Sequence, residues 1–67
     1  MTPQQEIIIS KLKEKLETKN MAQEDCHGLT FGQCEQIKYF LMEEDKDLRI
    51  TICEDLKRLQ IVASKTT

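Results

Sequence analysis

The chain has 67 residues, enough for one small domain that buries only about 60% of the surface its unfolded form exposes, so a deep active site between two lobes is excluded. Ten lysines and arginines stand against twelve aspartates and glutamates, a formal charge of −2 with a pI near 5.3. That balance argues against a general nucleic-acid binder, whose domain is usually basic with a pI above about 9.

The first element begins at Thr2-Pro3-Gln4-Gln5. Threonine caps free backbone N–H groups, proline suits the first helical position, and glutamine stands at the third. Ile8, Ile9, Leu12 and Leu16 then fall within one stripe at about 100° per residue, and lysines and glutamates cover the rest. A helix over about residues 3–19 is expected, with Ile7 off the stripe and Asn20 as its stop. Met21 to Gly28 is polar and reads as a loop.

Leu29-Thr30-Phe31-Gly32-Gln33-Cys34 combines a capping box, Thr30 with Gln33, and a hydrophobic staple, Leu29 with Cys34. Phe31, Cys34, Ile37 and Leu41 share a face, which sets a second helix at about 31–43. Glu43 to Asp47 is an acidic link. Two readings then compete. One starts a helix near Asp47 with Leu48, Ile52, Leu56, Leu59 and Ala63 on a stripe. The other makes Leu48-Arg49-Ile50 a short extended piece before a helix capped by Thr51 with Glu54. The box and the local alternation agree on a third helix over about 52–62, with Ser64 to Thr67 frayed.

Two glycines, one proline and an aromatic content of 4% favour helices over a many-turned β-fold. The expected fold is therefore all-α, one small three-helix domain over residues 1–67, with a short extended segment near residue 50. Three cysteines cannot all pair within one chain, and isolated thiols point to a reducing compartment. Met1 to Ile9 lacks the basic region of a signal peptide, and no window nears the roughly 18 apolar residues of a membrane span. A cytoplasmic protein without a membrane partner is expected.

Cys26, His27, Cys34 and Cys53 offer the right atoms for zinc but not the short-spaced ligand pairs of structural sites, so no metal is expected. Adjacent Cys26 and His27 do not make a catalytic pair, because such pairs are spatial neighbours with a third, orienting group. Glu24 and Asp25 would raise the thiol pKa and quench its nucleophilicity. No glycine-rich phosphate loop is present. No catalytic residue and no cofactor are assigned, and the chain is read as not an enzyme.

Leu29-Thr30-x-x-Gln33-x-x-x-Ile37-x-x-x-Leu41, Ile50-Thr51-x-x-Glu54-Asp55-Leu56-x-x-Leu59 and Ile61-x-x-Ser64-Lys65-Thr66-Thr67 together resemble the opening of a winged-helix or helix-turn-helix domain, over about residues 29–67. Gln60 stands where that family's turn often carries glycine. The resemblance implies a DNA-binding transcriptional regulator, with a recognition helix entering the major groove. Arg49, Lys57, Arg58 and Lys65, set against Glu54 and Asp55, would then contact phosphates.

The favoured reading is a different one. A core this small rarely supplies more than about 3–5 kcal/mol, so self-association or a larger partner is expected to steady it. An acidic chain without a reactive site reads as a regulator or inhibitor that occupies the surface of a larger protein, of the kind phages and other mobile elements encode. Its expected contact surface is Ile7, Tyr39 and Phe40, rimmed by Glu43, Glu44 and Asp45, since aromatic rings bury much area at little entropic cost.

Overall fold

The computed structural model describes residues 1–55 and 58–65. It contains α1 (Pro3–Thr18), β1 (Met21–Asp25), α2 (Phe31–Glu44), β2 (Leu48–Asp55) and β3 (Arg58–Lys65). The sheet order is β1-β3-β2, and both flanking strands run antiparallel to β3. The fold is α+β, not the expected all-α three-helix domain. The region assigned to a third helix, about 52–62, is instead a β-hairpin, and part of the expected loop at 21–28 is β1.

The two helices form as their caps dictate. Thr2 Oγ1 accepts from Gln5 N at 3.3 Å and Gln5 Oε1 accepts from Thr2 N at 2.8 Å. Thr30 and Gln33 repeat the exchange at the head of α2, with bonds of 3.2 and 2.9 Å. Each box satisfies two of the four backbone donors a helix start leaves open.

The missing third helix has a specific cause. Leu48 and Ile52, or Leu59 and Ala63, are four residues apart, and a step of four keeps a side chain on one face of a helix and of a strand alike. The odd step in the proposed stripe, Leu56 to Leu59, falls between the end of β2 and the start of β3, and Leu56 lies outside the described residues. Inward Leu48, Ile50 and Ile52 alternate with outward Arg49, Thr51 and Cys53, the period of two that belongs to a strand. The β-branched run Ile50-Thr51-Ile52 favours that choice. The extended piece read at 48–50 is the start of this eight-residue strand. Thr51 and Glu54 therefore face opposite sides of the sheet rather than closing a capping box.

Both helices cover one side of the sheet, α1 over β1 and α2 over β2. They run parallel: Gln5 meets Gln33 and Gln36 near their starts, and Lys13 meets Glu44 near their ends. Because β1 and β2 both oppose β3, they share a direction, and β1-α2-β2 is a split β-α-β unit with β3 inserted. Leu12, Ile37 and Ile61 are completely buried where the two layers meet. Full burial of such side chains contributes about 1.5–3 kcal/mol each. Among the described residues, no helix is long and apolar enough to cross a membrane.

Candidate interaction surface

Alternation along the strands gives the sheet a second face that no helix covers. Strand register arranges it in rows: Met21, Ser64 and Arg49, then Gln23, Val62 and Thr51, then Asp25, Gln60 and Cys53, and last Arg58 with Asp55. Val62 occupies the centre, half-buried between its neighbours. Two side-chain amides are held in line across β1 and β3. Gln23 Nε2 donates to Gln60 Oε1 at 2.8 Å, and Gln60 Nε2 donates to Asp25 Oδ1 at 3.0 Å. Arg49 and Arg58 balance Asp25 and Asp55, so the described residues of this face carry no net charge.

The residues expected to meet a partner are spread over α1, α2 and the C-cap of α2. Phe40 lies between the helices, with Lys13 Nζ 5.6 Å from its ring centroid, and Lys13 also pairs with Glu44 at 2.9 Å. Ile7 and buried Ile9 are about 160° apart around α1, which turns Ile7 away from the sheet and leaves it 53% exposed. Tyr39 is exposed on α2, where Lys38 approaches its ring at 5.7 Å. Glu43 is exposed, and Asp45 caps the end of α2, accepting from Asp47 N.

The basic set is dispersed too. Arg49 and Arg58 share the open face but lie six positions apart along the hairpin, about 20 Å. Lys65 stands on the other face, 3.9 Å from Asp45. Lys57 lies outside the described residues.

A shallow cleft of about 400 Å³ opens between the turn at residues 25–29 and Arg58–Leu59. His27 sits on its wall and is exposed. Cys26 lies beneath, almost wholly buried, and its backbone N–H donates to Leu59 O at 2.8 Å. Burial, first of all, pushes the Cys26 thiol from 9.0 up to about 12. A hydrogen bond with Cys34 comes next, followed by electrostatic repulsion from the side chains of Cys34, Asp25 and Glu24. A thiol so strongly protonated at neutral pH is a poor nucleophile. Cys53 projects from the open face, on the far side of the sheet from Cys34, and so does not join Cys26 and His27. Among the described residues no cluster of three metal-ligating side chains occurs.

Sequence reasoning missed the open face because it assigned no sheet. The signal was present in the alternation of 48–53 and again in Ile61-Val62-Ala63. No protein-family profile, curated protein or solved structure matches this chain.

Proposed function

We propose that this chain is a non-catalytic regulator or inhibitor that acts inside the cell by binding a larger protein through its open sheet face. One observation carries the reading: the helices cover a single side of the sheet, and the bare side has an apolar centre with a polar rim. That is the anatomy of a protein interface. Val62 and the methyl of Thr51 supply the centre, and Asp25, Gln60, Arg49 and Arg58 supply the rim. The linked amides of Gln23 and Gln60 are already fixed in place, which lowers the entropic cost of docking. The matching partner presents a flat, neutral surface rich in hydrogen-bonding groups. A polyanion finds little purchase on a face whose charges cancel and which carries no aromatic ring for stacking.

The test is binding of the purified partner, first recovered from the source cell, to three forms of the protein. Val62→Glu is expected to weaken the complex by about thirtyfold or more, as loss of a central contact does. Phe40→Ala is expected to bind as the parent does. Far-ultraviolet circular dichroism checks that both variants are folded. If Val62→Glu binds with unchanged affinity, the sheet-face reading fails.

A further inference from the structure

We infer that a second copy of this chain pairs with the free edge of β2, antiparallel, about a two-fold axis through Ile52. The dimer stands or falls independently of the partner proposed for the open face.

The free edge can be read from the hydrogen bonds of the other one. Cys26 N donates to Leu59 O and Lys65 N donates to Asn20 O, so the odd-numbered residues of β3 pair with β1. Antiparallel ladders alternate, so the even-numbered residues of β3 pair with β2. Their partners are Arg49, Thr51, Cys53 and Asp55. Leu48, Ile50, Ile52 and Glu54 therefore aim their N–H and C=O groups outward. Leu48 N is taken by Asp45 O at 3.2 Å. Among the described residues, no protein group meets the backbone of Ile50, Ile52 or Glu54 on that side.

Natural proteins blunt sheet edges with lysines, prolines, bulges or short strands. The β1 edge is blunted in this way. It is five residues long, and Lys15 Nζ caps its Gln23 carbonyl at 3.0 Å while pairing with Glu24 at 2.8 Å. The eight residues of β2 include no proline, glycine or lysine, so the longer edge is guarded only by the charges of Arg49, Glu54 and Asp55.

Two features of charge and shape identify a second copy as the occupant. A two-fold axis normal to the sheet keeps like faces together and allows only pairs of the same face. Centred on Ile52, it sets Arg49 opposite Asp55 of the second copy, twice over, and Thr51 opposite Cys53. Ile50, Ile52 and Glu54 then exchange about six backbone hydrogen bonds across the axis. The side of α2 away from α1 lies above this edge and carries Phe31, Glu35, Lys38 and Met42, spaced as one helical stripe. Phe31 is 48% exposed in the single chain. The product is a six-stranded sheet with one continuous open face.

Register is tested by disulfide trapping. Thr51 and Cys53 would form a non-hydrogen-bonded pair, whose Cα atoms lie about 4.5 Å apart and within disulfide range. Thr51→Cys, oxidised by copper–phenanthroline in air, is expected to run as a covalent dimer without reductant. The parent protein and Arg49→Cys are expected to run as single chains. Light scattering of the parent is expected to return twice the 7.8 kDa chain mass. Arg49→Asp is expected to weaken the dimer about tenfold, and adding Asp55→Arg to restore it. All three altered side chains are exposed, so these variants keep the fold. A parent protein that scatters as one chain at submillimolar concentration overturns the inference. So does trapping by Arg49→Cys, or by the parent, in place of Thr51→Cys.

Discussion

The side-chain amide of Gln5 on α1 donates to the backbone carbonyl of Gln33 on α2 at 3.0 Å. It also donates to Gln36 Oε1 at 2.9 Å and accepts from Thr2 N at 2.8 Å. Gln5 is 1% exposed, and every polar atom of its side chain is engaged. One residue thus closes the cap of α1 and fixes the spacing of the two helices.

Gln5→Ala removes the Thr2 N to Gln5 Oε1 half of the capping box and both interhelical bonds, keeps the Thr2 Oγ1 cap on the backbone N of residue 5, and leaves a small void. A loss of about 2–3 kcal/mol is expected, from three side-chain hydrogen bonds of about 1 kcal/mol each. For a domain of this length that lowers Tm by about 10 °C or more. Thermal unfolding followed by circular dichroism measures it. A change under about 2 °C would show that Gln5 is replaceable by water.

Gly28 has φ +83°, in the left-handed region where a Cβ is strained. An added methyl would meet only Gln4 Nε2, at an ordinary 3.8 Å, so the cost is conformational and not a clash. Gly28→Ala is expected to destabilise by about 1–2 kcal/mol. Gly32→Ala, inside α2 with its new Cβ 3.9 Å from Thr30 Oγ1, is expected to stabilise by up to about 1 kcal/mol. Urea midpoints of opposite sign in the two variants are the outcome to look for.

The Cys26 thiol gives stability a pH dependence on the alkaline side. Its pKa is raised on folding, from 9.0 to about 12, so the native state keeps a proton that the unfolded state has lost. That contribution is fully present below pH 9 and is lost as pH rises from 9 toward 12, with a slope of at most about 1.4 kcal/mol per unit. Urea titrations at pH 8, 9.5 and 11 check it. Cys26→Ala is expected to flatten the decline relative to the parent. An equally steep decline in the variant would place its origin elsewhere.

Both helices were legible because their signals are local. A Thr-x-x-Gln box marks each start, and isoleucine and leucine at helical spacing mark each buried face. The hairpin was not, because four-residue spacings in 48–63 satisfy helix and strand together, and the pairing of β2 with β3 decides between them. β1 was harder still. Met21-Ala22-Gln23-Glu24-Asp25 has no β-branched residue, and it is extended because β3 offers it a ladder. The staple residues Leu29 and Cys34 are buried as their sequence positions imply. Exposure of Tyr39 and Ile7 follows from helical phase. The open face could not be read without first recognising a sheet.

The strand that comes last in the chain lies in the middle of the sheet. β1 has nothing to bond with until β3 arrives, and Asp25 must wait for Gln60, 35 residues further on. In the order of synthesis β1 is made first and its only ladder partner among the described strands is made last. Removing β3 would not trim the sheet but abolish it, since the strands it separates never touch each other.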